Sequence, residues 1–407
     1  MTTCPYSPFD LEVMADPYPF YTWLRSHAPV YEVPGAGYFT VSRYQDIMEV
    51  CKNPDIFSSR VSGFLRRDEN GRVQVQDAGV SDPRSGVVLG IEDPPVHTQQ
   101  RGSLSKCFAP RVRQIEPWLR SRCESHMARA MDQGGLDYMA EYASLVPAEA
   151  IAHLLGFPLE DARQLQHWSS LCAQTVGGVV TDEDLEKNVP AIMEFHQYLG
   201  EKLVEAKKSP GDNVMGDLAR LLMEKNSGLT EDEIFGILFQ VLVGANETTV
   251  AAVGSALLLS GEFPDVFAAV NKNQALIPNY LEEVLRRETP AQGNYRKTAV
   301  DTELAGVTLP AGSTLTLLWA AANRDENEFE NPEQLIIDRP NIKNHLGFGQ
   351  GIHFCVGAAL ARLETRVALE AFLAVTGNAT FSLAEEPVTY IPSLFIRRLA
   401  RLNVRFS

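Results

Sequence analysis

The stretch HLGFGQGIHFCVG, residues 345–357, decides the fold of this chain. It contains four glycines, at 347, 349, 351 and 357, together with Phe348 and a single cysteine, Cys355. Glycine is needed where the backbone takes positive φ or lies close against another body. Alternating glycines ahead of the helix-like segment AALARLETRVALEAFLA therefore predict a loop moulded onto a flat or charged group.

Two groups would fit such a loop, a phosphate and a haem. A phosphate loop of the Walker type needs Lys followed by Ser or Thr after its last glycine, and a dinucleotide loop needs a preceding strand and a later acidic residue. Neither pattern is present, and a structural zinc ion would need paired Cys or His ligands where only His353 lies near Cys355. Haem iron needs one thiolate from the protein, and a helix N-terminus favours that form. A glycine-rich turn around an inert cysteine stays the alternative.

Composition excludes several classes of function. The chain of 407 residues carries 36 basic and 52 acidic residues, a net charge of −16, which argues against nucleic acid or an anionic membrane as the main partner. The six cysteines are scattered without paired spacing, which argues against a disulfide framework. With no signal-peptide pattern and no run of 18 apolar residues, we expect a cytoplasmic protein without membrane insertion.

The hydrophobic pattern predicts a mainly α-helical protein with a small β lobe. Because no linker divides the chain, we expect a single domain over 1–407. A long helix from Thr230 to about Ser260 starts with the capping box Thr230/Glu233 and is apolar nearly all round, which predicts a helix through the centre of the protein. The β-rich lobe is predicted from three segments, about 28–42, 296–318 and 380–406.

Three polar features stand out from this background. Glu247 lies within the apolar central helix, so it is either paired with a buried basic residue or functional. His97 and Arg101 are four residues apart on one helical face, which describes either a solvated pair or two donors aimed at one anion. The irregular stretch 57–95 is long for a loop in a compact domain and is predicted to cover a substrate site.

Taken in order, these motifs resemble those of the soluble bacterial cytochromes P450, the haem-thiolate monooxygenases, over nearly the whole chain. FGQGIHFCVG, residues 348–357, is similar to the haem loop of that family, and EVLR, residues 283–286, to its ExxR helix. ANRD, residues 322–325, with Phe329, Pro332 and Arg339, resembles the signature that follows. The pair Glu247-Thr248 resembles the acid-alcohol pair of the central helix, although Gly244-Ala245 stands where the family usually has Ala-Gly.

The resemblance implies a role for each matching residue. Cys355 would be the axial ligand of haem b, and Glu247 and Thr248 would deliver protons during dioxygen activation. The loop residues expected to bind the cofactor are Phe348, Gly349 and Gly357. The donors expected to bind the haem propionates are His97, Arg101, Arg296 and His353. A buried network that supports the loop would consist of Glu283, Arg286 and Arg339.

The implied activity is insertion of one oxygen atom of O2 into a mainly apolar molecule, by hydroxylation or oxidative dealkylation. Because the sequence has no flavin or iron-sulfur motif, two electrons would come from a ferredoxin-type donor with a separate reductase. Basic residues expected on the thiolate side, suited to an acidic donor, are Lys106, Arg111, Arg113, Lys343, Arg362 and Arg366. The alternatives are a peroxide-driven haem-thiolate peroxygenase and, in another class, a haem sensor or carrier without turnover.

The resemblance also implies which residues face the substrate. They are Val87, Val88, Leu89, Val243, Ala291, Gln292, Asn294, Leu394 and Phe395, most of them apolar. Since buried amides need partners, Gln292 and Asn294 predict a substrate with at least one oxygen function. A terpenoid, a steroid or a substituted aromatic compound would all satisfy this.

Overall fold

The computed structural model describes residues 4–34, 38–61, 63–67, 73–77, 89–179, 181–224, 228–376 and 381–407. Within these ranges the protein is mainly helical with a small sheet region, as predicted. The helices are α1 (Leu11–Ala15), α2 (Tyr18–His27), α3 (Tyr44–Lys52), α4 (Val96–Val112), α5 (Glu116–Asp132), α6 (Leu145–Leu155), α7 (Ala162–Thr175), α8 (Asp182–Lys208), α9 (Val214–Met223), α10 (Glu231–Glu262), α11 (Pro264–Lys272), α12 (Ile277–Arg287), α13 (Trp319–Ala322) and α14 (Ala358–Thr376). Short 3-10 turns cover Leu89–Ile91, Leu159–Asp161, Gln274–Leu276, Ile342–Asn344 and Gly351–His353, and one π turn covers Met139–Ala143.

The strands are short and form four separate sheets. They are β1 (Val30–Val33), β2 (Tyr38–Val41), β3 (Phe57–Ser58), β4 (Gly63–Arg67), β5 (Val73–Asp77), β6 (Gly135–Asp137), β7 (Asn294–Thr298), β8 (Thr302–Leu304), β9 (Val307–Leu309), β10 (Thr314–Leu317), β11 (Phe381–Leu383) and β12 (Asn403–Phe406). The largest sheet has the order β1-β2-β10-β7-β3, parallel between β2 and β10 and antiparallel elsewhere. It makes the β lobe.

Helix α10 runs through the centre of the helical core. Its N-terminus carries the predicted capping box, since the Thr230 hydroxyl accepts from the backbone N–H of Glu233 and the Glu233 carboxylate accepts from that of Thr230. By length and composition α10 could also cross a membrane, but 56% of its most apolar window is buried inside the protein. This burial is typical of a core helix, and α10 packs against α6, α7, α12 and α14.

Two segments differ from the sequence prediction. The stretch 57–95 is less irregular than predicted, because its described part contains the antiparallel hairpin β4-β5 and a one-turn helix at 89–91. Arg66 of this hairpin pairs with Asp182 at the start of α8. The alternation in VQVQD is that of a strand, but its polar residues and the flanking glycines obscured it.

The C-terminal strands do not extend the β lobe as predicted. Strand β12 lies between β11 and β6, and its Val404 is buried in the large helical core. Only the turn before it approaches the β lobe, where Leu394 and Phe395 pack beside Tyr295 of β7. The described part of the predicted segment, 381–406, therefore joins the two parts of the protein instead of belonging to one.

Candidate functional site

The glycine-rich loop lies between α3 and the start of α14. Gly351 has φ +76°, and a Cβ at this position would lie 2.7 Å from the backbone oxygen of Cys51, so only glycine permits both the turn and the approach to α3. The loop closes on itself through a hydrogen bond from the Cys355 N–H to the Phe348 carbonyl, 2.9 Å. As the sequence predicted, it presents Cys355 just ahead of α14.

The Cys355 side chain faces a cavity of about 430 Å³ between the loop and α10. Removal from bulk water raises the pKa of the Cys355 thiol, while the N–H groups of Gly357 and Ala358 and the charge of Arg101 act in the opposite direction. The N–H groups at the start of α14 thus favour the thiolate, as the sequence argument has it, but do not by themselves secure it against the effect of burial. Coordination to a metal cation would, because a coordinating thiol loses its proton outright.

Four cationic or potentially cationic side chains meet in the same cavity, His97, Arg101, Arg296 and His353. The rings of His97 and His353 have centroids 4.1 Å apart. The Nε2 atoms of both are buried and have no hydrogen-bond partner among the described residues. Burial, reinforced by Arg296, lowers the pKa of His353 to about 3, and burial with Arg101 lowers that of His97. An anionic group, such as a pair of carboxylates, would accept hydrogen bonds from these buried donors.

The cavity thus combines a single cysteine sulfur with donors for an anionic group, which is the donor set that haem requires. Phe348, Gly349 and Gly357 line it as well, as expected of the loop. The opposite wall belongs to α10, where Gly244 and Thr248 face the space. The residues present fit a haem, and the His97 and His353 rings are placed where they would hold its propionates.

A fully buried network supports the loop from behind. Arg286 Nε donates to Glu283 Oε1 over 2.7 Å and Arg339 Nε donates to the same oxygen over 2.8 Å. Burial raises the pKa of Glu283, but the bonds from Arg286 and Arg339 outweigh it and leave the pKa below its usual value. The structure thus brings the three predicted residues together.

This network connects to the loop through Asn323. Arg286 Nη1 donates to the Asn323 carbonyl over 2.9 Å, and the Asn323 side-chain oxygen accepts from the Leu346 N–H over 2.6 Å. The Glu283 carboxylate is therefore connected to the start of the loop through two intermediate residues, Arg286 and Asn323.

Only half of the predicted acid-alcohol pair faces the cavity. Thr248 lines it and donates its hydroxyl to the Gly244 carbonyl, 3.0 Å away. Glu247 is absent from the lining and forms a buried ion pair with Arg398, with Arg398 Nη1 2.5 Å from Glu247 Oε2. The structure therefore gives Glu247 the buried basic partner that a charged residue in an apolar helix needs.

Some of the predicted substrate residues line the cavity and others do not. Leu89, Val243, Ala291, Asn294 and Phe395 line the cavity. Leu394 and Gln292 instead line a second, smaller cavity of about 60 Å³ beside α1 and α2. Val87 and Val88 lie outside the described residues.

The prediction that the Gln292 side chain faces the substrate is wrong. Its Oε1 accepts from the Tyr21 hydroxyl over 3.0 Å, and its Nε2 donates to the Thr289 carbonyl over 2.6 Å. Both ends of the amide are thus satisfied inside the protein, and Gln292 offers nothing to a substrate.

The sequence analysis missed two polar residues of the cavity wall, Gln240 on α10 and Glu364 on α14. Neither carboxylate oxygen of Glu364 has a hydrogen-bond partner among the described residues, and burial raises its pKa well above the usual value. Burial beside the cavity therefore disfavours the charged form of Glu364, with Thr249 acting in the opposite direction. Its signal was the same as that of Glu247, a charged residue within an apolar helical run.

Three of the six residues of the predicted basic surface form ion pairs with acidic side chains. Arg111 pairs with Asp212 and Asp217, while Arg362 donates to Glu282 and Arg366 to Glu116 and Glu370. Lys106, Arg113 and Lys343 are exposed. In the part of the chain that the structure describes, these three form no ion pair.

Comparison with known proteins agrees with this site. A cytochrome P450 family model matches residues 179–375. Cytochrome P450 144 of Mycobacterium tuberculosis is 32% identical over 399 residues, which cover 97% of this chain and 90% of the relative. Vitamin D(3) 25-hydroxylase of Pseudonocardia autotrophica is 31% identical over 393 residues, 96% of this chain and 93% of the relative. The crystal structure of CYP109E1 from Bacillus megaterium in complex with testosterone superimposes with a TM-score of 0.84 at 29% identity, covering 97% and 99% of the two chains.

Proposed function

Because the chain belongs to the cytochrome P450 family of haem-dependent monooxygenases, we propose that it hydroxylates or oxidatively dealkylates a mainly apolar small organic molecule. The cofactor of the family is haem b, and its members use O2, an organic substrate and a redox partner. The observation that carries the proposal is the cavity that Cys355 shares with the His97 and His353 rings, whose buried Nε2 atoms have no hydrogen-bond partner in the part of the chain that the structure describes. These groups suit one haem.

We assign Cys355 as the axial ligand of the haem iron, with Phe348, Gly349 and Gly357 shaping the loop around it. His97, Arg101, Arg296 and His353 would hold the propionates. Bound haem would supply the iron that activates dioxygen, and thiolate donation favours O–O cleavage.

Thr248 is assigned as the proton-positioning group of the distal side. Its hydroxyl lies on the cavity wall and already donates to the Gly244 carbonyl, so it can accept a further hydrogen bond from water. Glu247 is proposed to relay protons towards Thr248 through water. Because its carboxylate is paired with Arg398, it would take up each proton from water on one side and release it to water on the side of Thr248.

The electrons are proposed to come from a ferredoxin-type protein with a separate reductase. Lys106, Arg113 and Lys343 are the residues of the predicted basic surface that are exposed and that no acidic neighbour in the described ranges neutralises. They would steer an acidic donor on an otherwise acidic protein. A cytoplasmic location fits this partner.

The substrate is proposed to be a steroid, a terpenoid or an aromatic compound with an oxygen function. The lining favours an apolar skeleton, and Asn294 is the polar residue of the predicted set that reaches the cavity. A relative named for hydroxylation of vitamin D(3) and a structural neighbour bound to testosterone support the steroid class.

The proposal is tested by a spectral-shift screen of the ferric protein against apolar compounds, after the carbon monoxide difference band has been checked. Hits are then incubated with a surrogate ferredoxin and reductase, or with peroxide alone. Oxygenated product that depends on the electron donor supports the monooxygenase. Product from peroxide alone identifies a peroxygenase, and binding without product in either system identifies a carrier.

A further inference from the structure

Gln240 lies two helical turns before Thr248 on the cavity face of α10. Gln240, Gly244 and Thr248 follow each other at intervals of four residues, so they share one face of the helix, and all three line the cavity. The first of them carries an amide where its neighbours on the wall, Phe239 and Val243, are apolar. An amide in this place needs a partner.

The orientation of this amide is fixed by Gly90. The Gly90 N–H donates to Gln240 Oε1 over 2.8 Å. Because the oxygen of an amide accepts hydrogen bonds and its nitrogen only donates them, this contact fixes which end of the amide faces Gly90. A Cβ at position 90 would lie 2.3 Å from Gln240 Nε2, so a larger residue there would displace the side chain. Gly90 therefore seats the Gln240 amide in a defined direction.

In the part of the chain that the structure describes, the side chain of Gln240 forms this one hydrogen bond, with Gly90. Its Nε2 group has no acceptor there. Its two N–H bonds are therefore available to water or to a bound molecule. Replacing a water by a ligand oxygen preserves such a bond, whereas an apolar ligand group in the same place loses it.

The charge of the cavity indicates which oxygen would suit. Its lining residues that are or can become cationic, Arg101 and Arg296 with His97 and His353, are the four that surround the proposed propionate position. An amide alone is a weak counterpart for a desolvated carboxylate, which needs a cation nearby. The acceptor that fits Gln240 is therefore neutral, such as a ketone.

We propose that Gln240 Nε2 donates a hydrogen bond to a neutral carbonyl oxygen at one end of the substrate and thereby selects the carbon presented beside Thr248. This rests on the proposed function, which places the oxidation at Thr248. Eight residues of α-helix rise about 12 Å, so the oxidised carbon lies about that far from the carbonyl. A rigid apolar skeleton with a ketone at one end, of the length of a ketosteroid, meets both conditions.

The test compares two ligands that differ by one oxygen, 5α-androstan-3-one and 5α-androstane. Their dissociation constants are measured from the Soret shift of the ferric protein, for the wild type and for Gln240→Glu and Gln240→Leu. Glu keeps an acceptor for the Gly90 N–H and removes the amide donor, so it separates hydrogen bonding to the ligand from support of the wall. Gln174→Leu, an exposed amide on α7, is the control.

The wild type and the Gln174→Leu control should bind the ketone about threefold to tenfold more tightly than the hydrocarbon. This ratio should fall to about one in both Gln240 variants. A ratio of one in the wild type, an unchanged ratio in Gln240→Glu, or no binding of either steroid to the wild type would overturn the proposal.

Product analysis separates this proposal from the proposed function. If the steroids are oxygenated, wild-type products should carry the new oxygen on ring D, far from the ketone, and Gln240→Glu should spread it over other positions. If no product forms in any redox system while the binding ratio still depends on Gln240, the monooxygenase function fails and the Gln240 contact stands.

Discussion

Arg398 and Glu247 form a buried ion pair although 151 residues separate them, with Arg398 Nη1 2.5 Å from Glu247 Oε2. Glu247 precedes Thr248 on α10, but consecutive residues of a helix point about 100° apart, so the two side chains face different surroundings. Thr248 faces the cavity and Glu247 faces the C-terminal segment. This pair therefore joins the central helix to the end of the chain.

Removing Arg398 alone should lower the free energy of unfolding more than removing both members of the pair. Arg398→Leu leaves the Glu247 carboxylate buried and unpaired, and should lower the free energy of unfolding by about 3–5 kcal/mol. The double variant Glu247→Leu/Arg398→Leu should recover most of this loss, since well-packed apolar side chains replace buried ion pairs at little cost. Urea unfolding measures both. A single variant as stable as the double variant would contradict a buried pair.

Thr248 should control how efficiently electrons are used. Thr248→Val keeps the volume of the side chain and removes the hydroxyl, so product formed per electron pair should fall on the order of tenfold or more. Thr248→Ser keeps the hydroxyl and should stay close to wild type. The ratio of product to reduced cofactor consumed is the measurement, and intact coupling in Thr248→Val would remove the role assigned to this residue.

Glu282 should contribute a pH-dependent part of the stability. Its carboxylate accepts from Arg362 Nε over 2.6 Å and from His345 Nε2 over 2.9 Å, which links α12 to the haem loop and α14. Burial raises the pKa of Glu282, but these two bonds outweigh it and bring the pKa from 4.5 to about 2. A carboxyl group with a lower pKa in the folded state stabilises the fold above its unfolded pKa.

The stabilisation by Glu282 should be complete above about pH 4.5 and lost as the pH falls towards 2, on the order of 3 kcal/mol in total. Glu282→Gln should therefore be less stable than wild type at pH 7, and this difference should narrow below pH 4.5. Unfolding curves from pH 7 to pH 3 measure it. Glu303→Gln, at an exposed position of strand β8, controls for the loss of one charge. A difference that stays constant to pH 3 would contradict the low pKa.

The electron-donor surface is better tested at Lys106 and Lys343 than at the arginines of α14. Reversing Arg362 or Arg366 would break their pairs with Glu282, Glu116 and Glu370, so a slower reaction could reflect damage to the fold. Lys106 and Lys343 are exposed and have no such pair in the described ranges.

Lys106→Glu/Lys343→Glu should slow reduction by a ferredoxin by about tenfold at low ionic strength, because the patch would no longer attract an acidic partner. The effect should fade at high salt as the charges are screened. Stopped-flow reduction measures the rate. Lys208→Glu/Lys272→Glu makes the same change in net charge at exposed positions of α8 and α11 and should leave the rate unchanged. Equal rates for the two double variants would exclude the patch.

The features that the sequence predicted correctly depend on local signals. The Thr230/Glu233 cap, the glycine loop ahead of α14 and the i, i+4 pair on α4 each involve residues within a few positions, and the structure has all three. The buried Glu283 network also followed, through the family resemblance, because its motifs fix both the residues and their order.

The features that failed depend on where a side chain points and on partners far away in the chain. Gln292 was expected to face the substrate, yet the hydroxyl of Tyr21, 271 residues earlier, donates a hydrogen bond to its Oε1. The sequence analysis did not single out Gln240 from the apolar helix around it. The N–H of Gly90, 150 residues earlier, orients its side chain by a hydrogen bond to Oε1. No local pattern contains such pairings, since they arise only when the core is assembled.

Gly244 offers a last test of the central helix, because the family usually has alanine at this position and glycine at the next. A Cβ built on Gly244 meets no atom within 4 Å, so a methyl group fits there without displacing a neighbour. Gly244→Ala should therefore raise the free energy of unfolding by about 0.5–1 kcal/mol, because alanine loses less conformational entropy than glycine in a helix.

The reverse change at the next position provides the matched comparison. Ala245→Gly should lower the free energy of unfolding by a similar amount, and the double variant Gly244→Ala/Ala245→Gly should be close to wild type. Urea unfolding of the three variants gives these values. Destabilisation by Gly244→Ala would mean that the space in front of Thr248 is smaller than the structure indicates, and that glycine at 244 is kept to leave room for what binds there.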